Sequence, residues 1–264
     1  MCLRIAGEKY FLKVVTSNCP DRAPFFSQHR CLILDNMSPP MNSLASGLHV
    51  RPLYFYSERQ PFNLCGIKVL RVLDFQGSCE CVVGIERLVH LRYLKFQTVL
   101  LPPLESFHKL KFLDVDTVYS VELPDVLLNM VSLRSINFRS GTYFSESCRQ
   151  QATKDDRFQI NSNLQNVSAL TIHDETDEKI LRCLHNLRRL TIWFESSLDY
   201  SSDFVNQLES LKLIKVGHSS SILISVPLYL KQLTLVKVRM SSKEMEIIEG
   251  LLNLEVLKFL DVSF

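Results

Sequence analysis

The sequence predicts an α/β solenoid, with a curved parallel β-sheet on its concave face and irregular or helical return segments on its convex face. Three observations predict it. An apolar pattern changes period partway along a short stretch, and that stretch recurs about every twenty residues. The composition, 46% hydrophobic and 22% charged over 264 residues, supplies enough apolar side chains for a continuous core.

The pattern is clearest in LVHLRYLKF, where Leu88, Leu91 and Leu94 are followed by Phe96. A spacing of three suits a helical turn, and a spacing of two suits a strand with both side chains on one face. The third position of this LxxLxxLxL arrangement falls at Leu73, Leu94, Leu113, Ile136, Leu170, Leu190, Leu211, Leu233 and Leu257. Successive copies lie 19 to 24 residues apart, except for one step of 34. Degraded copies precede them at Leu32 with Leu34 and at Leu53 with Phe55. These are leucine-rich repeats. A single repeat buries too few side chains to offset the entropy of ordering it, so neighbours must stack and share a core.

This reading assigns residues 29–264 to a leucine-rich-repeat domain of about 9–11 repeats. Residues 1–28 form an N-terminal helix and linker: Leu3, Ala6, Tyr10 and Val14 share a helical face over 1–17, and Pro20 and Pro24 then break the pattern. The long step contains a polar insertion, residues 139–163, expected as a loop. The chain stops five residues after Phe259 without a polar capping segment, so the sequence reads as part of a larger protein or as a truncated product.

A net charge of +2 carries no nucleic-acid footprint. Arg4, Glu8 and Lys9 interrupt any leader-like apolar run, and Ile222 to Leu230 is far short of the roughly 20 residues a bilayer requires. No transmembrane segment and a cytoplasmic location are therefore expected. Eight cysteines show no framework, and the closest, Cys79 and Cys81, lack the CxxC spacing, so reduced structural thiols are expected.

No P-loop, GxGxxG, HExxH or GxSxG occurs, and neither catalysis, a metal nor a cofactor is expected of this chain. The acidic run His173, Asp174, Glu175, Asp177 and Glu178 reads as a solvated loop. His90, His108 and His185 occupy turn positions of a repeat.

The residues flanking each inward pair then carry whatever the protein recognises. Tyr93 and Phe112 form an aromatic cluster near an acidic strip of Asp74, Asp114 and Asp116, with Lys95 between the aromatics in sequence. Trp193, the single tryptophan, accompanies Arg189, and Lys212 follows on the next strand. Tyr, Trp and Arg dominate protein interfaces. Tyr93, Lys95, Phe112, Asp114, Asp116, Arg189, Trp193 and Lys212 are the candidate protein-binding residues of the concave face.

The segments RVLDF (Arg71 to Phe75), IERLVHLRYLKF (Ile85 to Phe96) and ELPDVLLNMVSLRSINF (Glu122 to Phe138) resemble the leucine-rich repeats of plant intracellular coiled-coil NLR immune receptors, such as the late blight resistance proteins of the nightshade family. MCLRIAGEKYFLKVV is similar to the segment that follows the nucleotide-binding region of those receptors, and NLEVLKFLDVSF resembles a late repeat. The resemblance covers essentially the whole chain. It implies recognition of a pathogen effector or a guarded host protein, and docking on the receptor's own nucleotide-binding domain, in defence responses that end in hypersensitive cell death. It also implies an ATP/ADP switch in a central domain, but the motifs of that domain do not occur in this sequence. A rival reading is the substrate-recognition repeat domain of an F-box ubiquitin ligase, which needs an F-box of about forty residues ahead of the repeats; residues 1–28 leave no room for one.

Overall fold

The computed structural model describes residues 12–15, 31–34, 52–56, 62–65, 69–78, 82–98, 101–154, 158–160, 162–194, 207–216, 227 and 229–263. They belong to two compact units, Met1–Val118 and Tyr119–Phe264.

The first unit holds β1 (Leu12–Val15), β2 (Cys31–Leu34), β3 (Pro52–Tyr56), β4 (Phe62–Asn63), β5 (Val72–Ser78), β6 (Val82–Val83), β7 (Tyr93–Thr98) and β8 (Phe112–Thr117). Six of these form a parallel sheet in the order β1-β2-β3-β5-β7-β8. The short β4 and β6 pair separately, also in parallel. The degraded copies at Leu32 and Leu53 are thus strands, in register with Leu73.

The helix expected over 1–17 is not what forms at its described part. Leu12–Val15 is a strand paired with β2, in keeping with the β-branched Val14 and Val15. The remainder of that segment, and the linker expected from 18 to 30, lie outside the described residues.

The second unit holds β9 (Val121–Leu123), α1 (Asp125–Leu128), β10 (Ser135–Phe144), α2 (Glu146–Lys154), β11 (Asn166–Thr171), α3 (Glu175–Arg182), β12 (Arg189–Phe194), β13 (Ser210–Lys215), β14 (Gln232–Val236), α4 (Ser242–Glu249) and β15 (Val256–Leu260). The strands β10 to β15 are parallel and follow chain order, and β9 pairs with the C-terminal part of β10. Parallel strands in chain order, one per sequence period, make an α/β arrangement compatible with a solenoid.

The change of period has a backbone cause. In LVHL the N–H of Leu91 donates to the carbonyl of Leu88 at 3.0 Å, closing one tight turn. The same bond recurs at Leu110 to Phe107, Leu133 to Met130, Leu187 to Leu184, Leu230 to Pro227 and Leu254 to Leu251. It holds both leucines inward while the residues between them, Val89 and His90 in this copy, stay exposed. His108 and His185 occupy the equivalent exposed turns. The chain then extends, and alternation buries Leu94, Phe96 and Thr98 on one side of β7.

Two expectations fail in the second unit. The segment 139–163 is not a loop throughout: Arg139 to Phe144 extend β10 and Glu146–Lys154 form α2, while residues 158–160 and 162–163 are irregular as expected. The third position after Ile136 is Val167 rather than Leu170. Ile136 and Leu190 both pair with Val167, whereas Leu170 pairs with Ile192, the fourth position. Three residues of β11 thus cover the ground of two on β12. Ala169, in the left-handed region at φ 57°, takes up the excess as a bulge. Its side chain is buried, although a residue flanking Leu170 would point outward if Leu170 were the third position.

At β15 the inward positions lose their cover. Leu233 and Leu235 are fully buried, whereas their register partners are not: Leu257 is 38% exposed and Phe259 is half-buried. In this sheet each strand's inward residues are sealed by the strand that follows, and none pairs beyond β15 among the described residues.

Candidate protein-interaction face

In the first unit, the expected site residues come from two neighbouring strands. Tyr93 pairs with Phe112, Lys95 with Asp114, and Gln97 with Asp116 across β7 and β8. The rings of Tyr93 and Phe112 stand 6.5 Å apart with a 41° tilt, within the range of favourable aromatic pairs. Phe112 is 45% exposed, an aromatic edge offered to solvent.

A second row runs Tyr54, Asp74, Lys95, Asp114, each in register with the next. Opposite charges on adjacent strands attract, which holds Lys95 between two carboxylates. Oδ1 of Asp74 is buried without a hydrogen-bond partner. Burial pushes the Asp74 carboxyl up, with Lys95 opposing and Asp114 reinforcing the shift. The Tyr93 phenol is also raised, first by burial and then by Asp114, Asp74 and Tyr54. Chemically this is an aromatic patch with an excess of negative charge.

In the second unit, Arg189 and Trp193 lie on β12, and Lys212 lies on β13 beside Thr191. Arg189 and Trp193 share a face but are four residues apart along an extended strand, about 13 Å. They do not form one cluster. Trp193 packs the other way, toward β10 and β11. A side chain on Gly141 would stand 3.6 Å from Cε3 of the indole, 3.7 Å from the Ala169 carbonyl and 2.9 Å from Oγ of Ser120. Gly141 adopts φ 98°, which disfavours L side chains, and its bare backbone leaves the indole room to lie against β10. Ser120 closes the same spot by donating to the Ser140 carbonyl at 3.0 Å. The indole N–H of Trp193 is buried with no acceptor.

Gly141 and Ser120 escape a reading of the sequence because Gly141 falls in the supposed insertion. The one signal was a lone glycine within SGTYF.

The acidic run is also not a solvated loop. Asp174 caps α3, accepting from the backbone N–H of Thr176 at 2.9 Å and of Asp177 at 3.3 Å. Arg149 on α2 donates through Nη1 to Asp177 and through Nη2 to Asp174, each at 2.5 Å. Asp177 is fully buried and also accepts from the His173 backbone N–H at 2.8 Å. His173 in turn meets Tyr143 edge-on, ring centroids 6.1 Å apart. These carboxylates are engaged by a guanidinium and by helix N–H groups, so their work is to dock α2 on α3.

Cys148 and Cys183 are thiols outside any disulfide. Among the same residues, no helix is long and apolar enough to cross a membrane. No protein-family model matches the chain, and no curated protein is significantly similar to it.

Proposed function

We propose that the chain is a leucine-rich-repeat module for protein recognition and autoregulation in an intracellular plant disease-resistance receptor. The observation that carries the reading is the coincidence of period and strand. Each copy of about 21 residues supplies one parallel strand whose inward residues are core, leaving the intervening residues free to vary chemically. The outward residues include Tyr93, Phe112, Trp193 and Arg189, the types that dominate interface energetics. The segments resembling coiled-coil NLR repeats supply the plant-defence assignment. The module acts in the cytoplasm and binds protein rather than performing catalysis; any nucleotide switch belongs to another domain of such a receptor.

The test is to express the chain in leaf tissue beside a coiled-coil NLR nucleotide-binding region stripped of its own repeats. Co-precipitation with that region and damped cell death are expected. Absence of both would remove the autoregulatory role. Alanine at Trp193 and Arg189 in a receptor carrying these repeats is expected to weaken effector-triggered cell death; an unchanged response would remove both residues from the recognition surface.

A further inference from the structure

Within each unit the residue immediately before a strand stacks on its counterpart in the next coil, at β5, β7 and β8 in the first unit and at β10 to β15 in the second. In the first unit these residues are Arg71, Arg92 and Lys111. The Arg92 N–H donates to the Arg71 carbonyl at 2.8 Å, and the Lys111 N–H donates to the Arg92 carbonyl at 2.8 Å. All three are exposed. None has a hydrogen-bond or ion-pair partner for its side chain among the described residues. Three cations therefore stand one strand apart, at about 4.8 Å per step. Lys109 and His90, in contact at 3.3 Å on the preceding turns, add to the same rim. Among the described residues of those turns the only carboxylates are Glu86, paired with Arg87 at 3.8 Å, and Glu105.

The second unit shows that this row can neutralise itself. There the stacked positions are Arg134, Gln165, Arg188, Glu209, Lys231 and Glu255, joined by the same backbone bonds. Arg134 donates to the Asn163 carbonyl, and Arg188 pairs with Glu209 at 3.2 Å. Lys231 then falls between Glu209 and Glu255. Like charges stacked on neighbouring strands repel, and opposite ones attract. One row obeys that rule and the other breaks it.

We infer that the Arg71–Arg92–Lys111 row is a docking rim for a carboxylate-rich segment of a partner protein. The three cations span roughly 10 Å over two strand steps. That matches acidic side chains at i, i+3 or i+4, and i+7 of a helix, which spread over roughly 10 Å. A partner's carboxylates there relieve the repulsion that the fold tolerates when alone. The inference rests on the proposed role in protein recognition and names the chemistry of one partner.

The test is fluorescence anisotropy with the full chain and a fluorescein-labelled glutamate–alanine peptide. Binding that weakens as salt rises is expected. The variant R71E/R92E/K111E is expected to lose at least about tenfold in affinity, as removal of a complementary charged patch does. The variant K154E/K243E/K258E, with the same change in net charge, is expected to bind as the wild type does. Should the first variant fail to fold by circular dichroism, R71Q/R92Q/K111Q gives the same reading. The single change R92E is expected to raise the melting temperature by breaking the run of like charges. No binding, or equal loss in both triple variants, overturns the inference. So does equally tight binding of duplex DNA or of phosphatidylserine vesicles, which would make the rim a general polyanion surface. Peptide binding without association to the nucleotide-binding region would sink the autoregulatory role alone, and the converse would sink only this inference.

Discussion

The Arg149 guanidinium on α2 lies 2.5 Å from the carboxylate of Asp177 on α3, and that carboxylate has no exposure to solvent. Removing the cation would leave a buried charge held only by His173, through its backbone N–H at 2.8 Å and its ring Nδ1 at 3.3 Å. Arg149→Ala is expected to cost about 3 kcal/mol, the usual loss when one partner of a buried pair is deleted. Asp174→Asn, at a half-exposed partner whose side chain still caps α3, is expected to cost well under that. Urea midpoints of the two variants measure the difference, and equal losses would contradict the assignment of Asp177 as the buried anchor.

The same clamp carries an acid-side dependence. Burial by itself raises the Asp174 carboxyl, but the Arg149 charge and the N–H groups of Asp177 and Thr176 together hold it below its ordinary value. A depressed folded pKa contributes stability above the unfolded value of about 3.9, and that contribution fades as pH falls through the folded one. The stability gap between wild type and Asp174→Asn should therefore stay constant from neutral pH to roughly pH 5 and close below about 4. A gap unchanged down to strong acid would refute the ion pair's role.

Leu233 and Leu257 hold the same position in adjacent coils, yet one is fully buried and the other 38% exposed. Leu233→Ala is expected to cost about 2–5 kcal/mol, because the surrounding coils cannot collapse around the void. Leu257→Ala removes contacts on one side only and is expected to cost less than half as much. Thermal melts of both variants check the ratio; similar losses would mean that β15 is covered in solution.

Most of the repeat was legible from side chains alone, because Leu91, Leu94 and Phe96 meet the same geometric demand in every clean copy. What stayed hidden depended on the backbone. The bulge at Ala169 keeps an apolar residue inward while shifting the frame by one, so Leu170 fits the pattern and still occupies a different position. The acidic run looked solvated because its counter-charge, Arg149, is 25 residues away from Asp174 in sequence and lies inside a stretch read as a loop. The capping box of α4 was there to be seen: Ser241 and Glu244 have the S-x-x-E spacing, and the Glu244 carboxylate accepts from the Ser241 N–H. The contrast between the two stacked rows needed the register itself, since Arg71, Arg92 and Lys111 are neighbours only across the sheet.

Cys148 is buried on α2, and burial, reinforced by Asp125, Cys183 and Asp177, pushes its thiol up to about 12. Only the thiolate is nucleophilic, so alkylation of the native protein at neutral pH should bypass Cys148 and modify it after unfolding in urea. Peptide mass mapping after iodoacetamide treatment reads this directly. Rapid native labelling at Cys148 would show that α2 leaves α3 readily.

Trp193 is the chain's single tryptophan, so intrinsic indole fluorescence reports one place, the contact with Gly141. Gly141→Ala forces a side chain onto backbone at φ 98° and within 2.9 Å of Ser120 Oγ. Such strain costs about 1–3 kcal/mol. The change is expected to lower the urea midpoint and shift Trp193 emission together. Trp193→Phe tests the orphaned N–H separately. It keeps the aromatic packing and removes a buried donor whose lack of a partner costs about 1–3 kcal/mol, so the folded chain should be as stable or more so. If that variant nevertheless binds a protein partner more weakly, the indole N–H is a donor held for that partner. If stability falls instead, the N–H has an acceptor in solution and no such role.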